Sequence, residues 1–176
     1  MYRFVLTIVL LNYLCCASII GRKGSCPSGG QTGPDGRCYV FYSSTNNCNS
    51  NWNTSNVFCQ QQGGQLASIS SSFINAFLWK MVKSANINTQ RGECDYFPGH
   101  GTFIGLYPKI SGNTCQWSWS DGSPLSYSNW GSGLNNSCDP NDWNTQNSIV
   151  YLTTTDGKWN LDDNAEIGYP SICAFD

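Results

Sequence analysis

Asp139-Pro140-Asn141-Asp142 and Trp159-Asn160 are the residues of this chain best suited to chemistry. The first run sets a carboxylate and an amide on either side of a proline, directly after Cys138. The second adds another amide beside a tryptophan, after Gly157-Lys158. Carboxylates and side-chain carbonyls are the oxygen donors that a hard cation takes, with positions left over for water or ligand. An X–Pro bond adopts the cis form at low cost, and a cis Asp139–Pro140 bond would turn the two flanking side chains the same way. A calcium ion held there would face two neighbouring hydroxyls of a sugar. Asp156, Asp162, Asp163 and Glu166 crowd the same C-terminal third, with Lys158 as the base among them. A solvated acidic face has the same pattern, so position alone does not decide between the two.

Catalysis has weaker support. The one histidine, His100, lies in a Gly/Pro-rich stretch, and no Ser or Cys sits in a recognisable nucleophile motif. Asp162 and Asp163 are adjacent, so on a strand their side chains diverge. The expectation is a binding protein, not an enzyme. Nine basic and eleven acidic residues give a net charge of -2, which leaves no basic footprint for nucleic acid.

The 176 residues include ten cysteines. Residues 1–18 read as a secretory signal: Arg3, an apolar run from Phe4 to Leu14, and the small-residue site Cys16-Ala17-Ser18. The run is interrupted by Asn12 and Tyr13 and is shorter than the roughly 20 residues a membrane span needs. Removing residues 1–18 takes away Cys15 and Cys16 and leaves an even set of cysteines. That set suits a disulfide framework in an oxidising compartment. Residues 19–176 then read as one secreted domain, with no membrane insertion after cleavage. Sequons stand at Asn53-Thr54-Ser55 and Asn135-Asn136-Ser137.

The elements that must position these residues follow from pattern. Cys38–Tyr42 is rich in aromatic and β-branched residues and predicts a strand. Ser55 is the expected cap of a helix through Gln62, stopped by Gly63-Gly64. Ser71 or Ser72 caps a second helix, in which Ile74, Phe77, Leu78, Met81 and Val82 form one apolar stripe. Strands are expected over 102–107, 115–120, 148–152, 158–161 and 170–175, with a turn at 108–113. A long irregular region from Ser123 to Gln146 remains, and loops of that length inside a domain are usually functional or disordered. Two helices segregated from antiparallel strands make an α+β domain.

Taken in order, these residues resemble a C-type lectin-like domain from Cys26 to Phe175. Cys26 and Cys38 resemble the half-cystines of the family's optional N-terminal hairpin. Cys59, with Gly64-Gln65-Leu66-Ala67-Ser68-Ile69 after it, resembles the half-cystine that pairs with the C-terminal one, here Cys173. Phe103-Ile104-Gly105-Leu106 resembles the Trp-Ile-Gly-Leu core strand. Trp117-Ser118-Trp119-Ser120-Asp121-Gly122-Ser123-Pro124, Tyr127 and Asn129-Trp130 resemble the entry to the family's long loop. The resemblance implies a disulfide-stapled fold of two helices, antiparallel sheets and a long loop. It sets Asp139-Pro140-Asn141 in place of the Glu-Pro-Asn sugar motif, Trp159-Asn160 in place of Trp-Asn-Asp, and Asn147 where a calcium-binding carboxylate often lies.

The implied function is binding of glycans, with the acid-then-amide order pointing to mannose-type sugars. Microbial surface sugars, and so a role in innate immunity, are the targets the family suggests. The implied calcium ligands are Asp139, Asn141, Asn147 and Asn160, with Asp162 standing in for the acid that Leu161 replaces. Trp143 and Trp130 are candidate stacking faces, with packing as the competing role. Asp139 is one methylene shorter than Glu, and Asn147 is neutral, so calcium binding is expected to be weak. The alternative is a calcium-independent protein-binding module of the same fold. The family's second disulfide is missing. Cys48, Cys94, Cys115 and Cys138 stand in its place, with three possible connectivities.

Overall fold

The computed structural model describes residues 26–43, 51–85, 101–134, 136–141, 148–162 and 168–176. Strands β1 (Gln31–Thr32) and β2 (Cys38–Tyr42) form an N-terminal hairpin. Helix α1 (Trp52–Gln61), the short β3 (Gln65–Leu66) and helix α2 (Ser72–Ser84) follow. Next come β4 (Gly101–Phe103), the pair β5 (Leu106–Ser111) and β6 (Thr114–Trp119), then β7 (Ile149–Thr153), β8 (Trp159–Asp162) and β9 (Ser171–Phe175). The main sheet runs β1-β2-β9-β4-β7-β8, with β3 also paired to β9; β5 and β6 form a separate two-stranded sheet. All pairs are antiparallel except β4 with β9. Among the described residues, no helix is long and apolar enough to cross a membrane.

Both helices start at side-chain caps. Ser71 caps α2 by accepting from the Ile74 N–H. Helix α1 starts earlier than Ser55: Asn51 accepts from the Thr54 N–H at 2.9 Å, and Thr54 Oγ1 accepts from the Asn51 N–H at 2.8 Å. This reciprocal capping box sets the start. Trp52 then turns inward and donates from its indole to the Ile104 carbonyl at 2.7 Å. The expected strand over 102–107 is two strands, broken at Ile104-Gly105. Gly105 there bonds to Ala67, and Ser120 bonds back to Gly105. The expected turn at 108–113 is shorter, because Pro108 lies inside β5 opposite Trp117. A two-stranded sheet has only edges, where a proline's missing N–H is tolerated.

Alternation along β7 separates two cores. Val150 and Leu152 face α2 and join Ile74, Leu78, Met81, Val82, Trp159 and Ile172. Ile149 faces the other way, with Trp52 and Cys59 of α1, Leu66, Phe103 and Tyr169. Cys59–Cys173 ties α1 to β9 across a sequence separation of 114, and Cys26–Cys38 closes the N-terminal hairpin.

One buried polar contact sets how α2 meets the sheet. Asn75 is 6% exposed. Its amide donates to the Gly157 carbonyl at 2.9 Å, and its carbonyl accepts from the Trp159 indole at 2.8 Å. Trp79 of the same helix donates to the Thr154 carbonyl at 3.0 Å. Its ring lies so close over Gly157 that a Cβ there would meet it at 2.8 Å, and Gly157 also has φ +70.

A second polar group fastens the N-terminal hairpin. The Arg37 guanidinium donates to Asp35 at 2.8 Å, to Tyr39 Oη at 2.8 Å, to Ser68 Oγ and its carbonyl at 3.0 Å, and to Asp121 at 3.4 Å. Ser68 also donates to Asp121. Burial disfavours the charged forms of Asp35 and Asp121. Hydrogen bonds from Tyr39 and Arg37 to the first, and from Ser123 and Ser68 to the second, outweigh it. Both carboxyls therefore titrate below the ordinary value of 3.8.

Two outcomes follow. Asn75→Ala leaves the buried Trp159 N–H without a partner and should cost about 2–3 kcal/mol, read as a lower urea midpoint at unchanged m. Asp121→Asn should lower stability at neutral pH. A depressed carboxyl contributes above its unfolded pKa and loses that contribution as pH falls through the folded value. The gap between the parent chain and the variant should therefore close below pH 3.8, as followed by denaturant melts across pH.

Candidate functional site

The long loop is rooted on β8. Trp159 is fully buried, and its backbone N–H donates to the Asn129 carbonyl at 2.8 Å, while the Gly131 N–H donates to the Trp159 carbonyl at 2.9 Å. These bonds flank a parallel bridge between Trp130 and Trp159. The Asn129 amide donates to the Gly157 carbonyl at 2.8 Å, the same carbonyl that Asn75 uses, and Lys158 Nζ donates to Asn129 Oδ1 at 2.8 Å. Around the Trp159 indole stand Trp119, Tyr127 and Trp130, with ring centroids 5.4, 5.7 and 5.7 Å away and ring planes near perpendicular. Such edge-to-face pairs each add about 0.5–1.5 kcal/mol beyond area burial.

Farther out, Trp117 packs on Trp130 with centroids 5.2 Å apart. Its indole donates to the Asn136 carbonyl at 2.8 Å. Cys115, on the same face of β6 two residues away, is bonded to Cys138 with a Cα–Cα distance of 5.3 Å. This selects one of the three connectivities; Cys48 and Cys94 lie outside the described residues. The segment 136–138 is thus fastened to β6 at two points, and it leads straight into Asp139-Pro140-Asn141.

Asp139 and Asn141 are both exposed. The Asn141 N–H donates to Asp139 Oδ1 at 2.9 Å, a turn closed by an aspartate side chain. None of the described peptide bonds is cis, so the Asp139–Pro140 bond is trans. The local turn, not a cis proline, sets the relation of the two side chains.

The donors on β8 are arranged differently. Asn160 and Asp162 share one face of the strand, opposite Trp159. Asn160 is half-buried, and its Oδ1 lies where a side chain on Gly131 would stand. Asp162 accepts from the Tyr169 hydroxyl at 3.2 Å. Burial, together with Tyr151 and Asp162 nearby, pushes the Tyr169 hydroxyl well above the ordinary tyrosine range. Among the described residues, no three His, Cys, Asp or Glu side chains gather as a metal site would require. The donors are oxygens, as calcium takes: the exposed Asp139 and Asn141 of the turn, and the half-buried Asn160 and Asp162 on β8. By donor chemistry, two carboxylates and two side-chain amides suit a hard cation. Asn147, Asp142, Asp163 and Trp143 lie outside the described residues. Trp130 packs against Trp117 and Trp159, so its ring serves the loop root.

Sequence reasoning missed Asn75 and the bonding role of Asn129. A signal for Asn75 was available: a polar residue three before Leu78 and seven before Val82, on the core side of an apolar stripe. Asn129 stood beside Trp130 in the quoted motif, but nothing in its type indicated that it would bridge Gly157 and Lys158.

Comparison with known proteins agrees with this architecture. Snaclec 3 of Sistrurus catenatus edwardsii is 33% identical over 123 residues, 69% of this chain and 72% of that one. Human lithostathine superposes with a TM-score of 0.63 at 26% identity, over 85% of this chain and 98% of that one. The cow C-type carbohydrate-recognition domain of CD23, solved in the presence of a GlcNAc2Man3 oligosaccharide, superposes with a TM-score of 0.56 at 25% identity, over 85% and 95%. The family model for the lectin C-type domain matches residues 48–175, and the chain belongs to that family.

Proposed function

We propose that this chain is a secreted glycan-binding module whose sugar site is the Asp139–Asn141 turn. The observation that carries the reading is the double anchoring of that turn, by Cys115–Cys138 and by the Trp117–Asn136 bond. An exposed acid and amide are thereby offered in a fixed relation. The carboxylate accepts from one sugar hydroxyl and the amide NH2 donates to its neighbour, which suits the equatorial vicinal hydroxyls of mannose-type sugars. Fixing the turn beforehand avoids part of the ordering cost of binding, about 0.5–1.5 kcal/mol per side chain. The oligosaccharide-bound CD23 domain supports the ligand class. Secretion is supported by three disulfides and by the signal-like residues 1–18. Microbial surface glycans, and with them a part in innate immunity, are the targets this reading favours.

Calcium has a secondary place in this reading. When bound, it would supply a shared cation for the sugar hydroxyls, with Asp139, Asn141, Asn147, Asn160 and Asp162 as the oxygen ligands and Trp143 beside the sugar. So few charges place its affinity at the millimolar end. A second reading, a calcium-independent protein-binding module, is favoured by one observation: Asn160 and Asp162 already face Gly131 and Tyr169.

Thermal melting with calcium and with chelator separates the two. A ligand present at its own Kd stabilises by about 0.4 kcal/mol, so several millimolar calcium should give a small upward shift. No shift favours the second reading. The amide is tested by Asn141→Asp, which keeps the side chain's size and the backbone N–H that closes the turn, adds a charge and removes the donor. Mannose-type binding on a glycan array, run with and without calcium, should weaken by about 1 kcal/mol, or roughly fivefold. Unchanged binding would remove Asn141 from the site.

A further inference from the structure

The sequon Asn53-Thr54-Ser55 occupies the second to fourth residues of α1. Successive helical residues are about 100° apart, so Asn53 and Ser55 point to nearly opposite sides. Asn53 is exposed. Ser55 is 5% exposed, on the side that buries Trp52 and Cys59. Four residues after Asn53, on its own face, Val57 is 49% exposed, and Phe58 beside it is 37% exposed with its ring edge against Tyr42. Cα–Cβ bonds tilt toward a helix N-terminus, so Val57 leans toward Asn53.

We propose that Asn53 carries an N-linked glycan, attached before α1 docks, and that this glycan covers the apolar surface at Val57. The inference rests on the reading of the chain as secreted. Sequon recognition needs the Asn53 amide and the Ser55 hydroxyl together, and the folded helix holds them apart, so the acceptor is the unfolded segment. The topology keeps that segment available. The buried side of α1 closes on β9 through Cys59–Cys173, and Cys173 is 114 residues farther along. The helix therefore cannot be locked until almost the whole chain has been made. In the transfer step, a lipid-linked glycosyl pyrophosphate supplies the sugar. The bond from the sugar C1 to Asn53 Nδ2 forms and the C1–O bond to phosphate breaks. The pyrophosphate leaves with that bonding pair, and one amide proton is released. No oxidant or reductant takes part.

The test expresses the full chain in eukaryotic secretory cells and assays medium and lysate separately. Peptide N-glycosidase converts a glycan-bearing asparagine to aspartate, so mass spectrometry of the peptide containing Asn53 reads that site apart from the Asn135 sequon. The secreted chain should be occupied at Asn53. Asn53→Gln should lose that modification, still reach the medium with Cys59–Cys173 formed, and bind more hydrophobic dye than the glycosylated chain. Adding Val57→Ser should reverse the gain in dye. In a second arm, microsomal membranes should modify reduced chain at Asn53 and leave refolded, oxidised chain unmodified. Secreted chain with unmodified Asn53 overturns the inference and leaves secretion standing. Chain retained in the cytosol with reduced cysteines overturns both. Equal modification of oxidised and reduced chain overturns the timing, and equal dye binding overturns the covering of Val57.

Discussion

The buried indole of Trp159 is the contact on which the rest of this structure depends. Its N–H is satisfied by Asn75 of α2, its backbone pairs with Asn129 and Gly131 at the root of the long loop, and three aromatic rings stand edge-on around it. An unpaired N–H in that setting would cost about 1–3 kcal/mol, so α2 has little freedom to slide. The same carbonyl, that of Gly157, receives both Asn75 and Asn129. Helix, sheet and loop root therefore share one polar junction, and disturbing any member disturbs the base on which the loop stands.

From that base the loop is held outward in steps. Trp130 packs on Trp159, Trp117 packs on Trp130, the Trp117 indole holds Asn136, and Cys115 holds Cys138. The last step delivers Asp139 and Asn141 to solvent. On β8, Asn160 and Asp162 are half-buried, with Asn160 against Gly131 and Asp162 accepting from Tyr169. A rigid base and an exposed, pre-ordered rim suit the proposed sugar site, because little of a small ligand's binding energy is then lost to ordering the protein.

Much of this frame was legible in the residues. The apolar stripe of α2, the strands at Cys38–Tyr42 and at residues 170–175, and the alternation of Cys115–Ser120 followed from period alone, because burial on one face leaves that mark. Helix α1 was misplaced at its start. A Ser before an apolar run looked like a cap, whereas the reciprocal pair Asn51–Thr54 and the inward turn of Trp52 decided it. Pro108 read as a turn, because nothing in its neighbours shows that β5 and β6 stand apart from the main sheet. At the site, the acid–amide order was visible, but a cis Asp139–Pro140 bond was the wrong route to its geometry. The contacts of Asn160 with Gly131 and of Asp162 with Tyr169 were not visible, since no local pattern names those tertiary partners. The Arg37 group was invisible for the same reason: its partners Ser68 and Asp121 lie far along the chain.

The most direct measurement is amide chemical-shift mapping of the full chain titrated with a mannose-type disaccharide, once with calcium and once with chelator. The account predicts that the perturbed signals centre on Asp139 and Asn141, extend to Asn136 and Cys138, and leave the Arg37 group still, with at most a modest gain from calcium. A titration that moves no signal in that turn, or that moves only residues elsewhere, would contradict it.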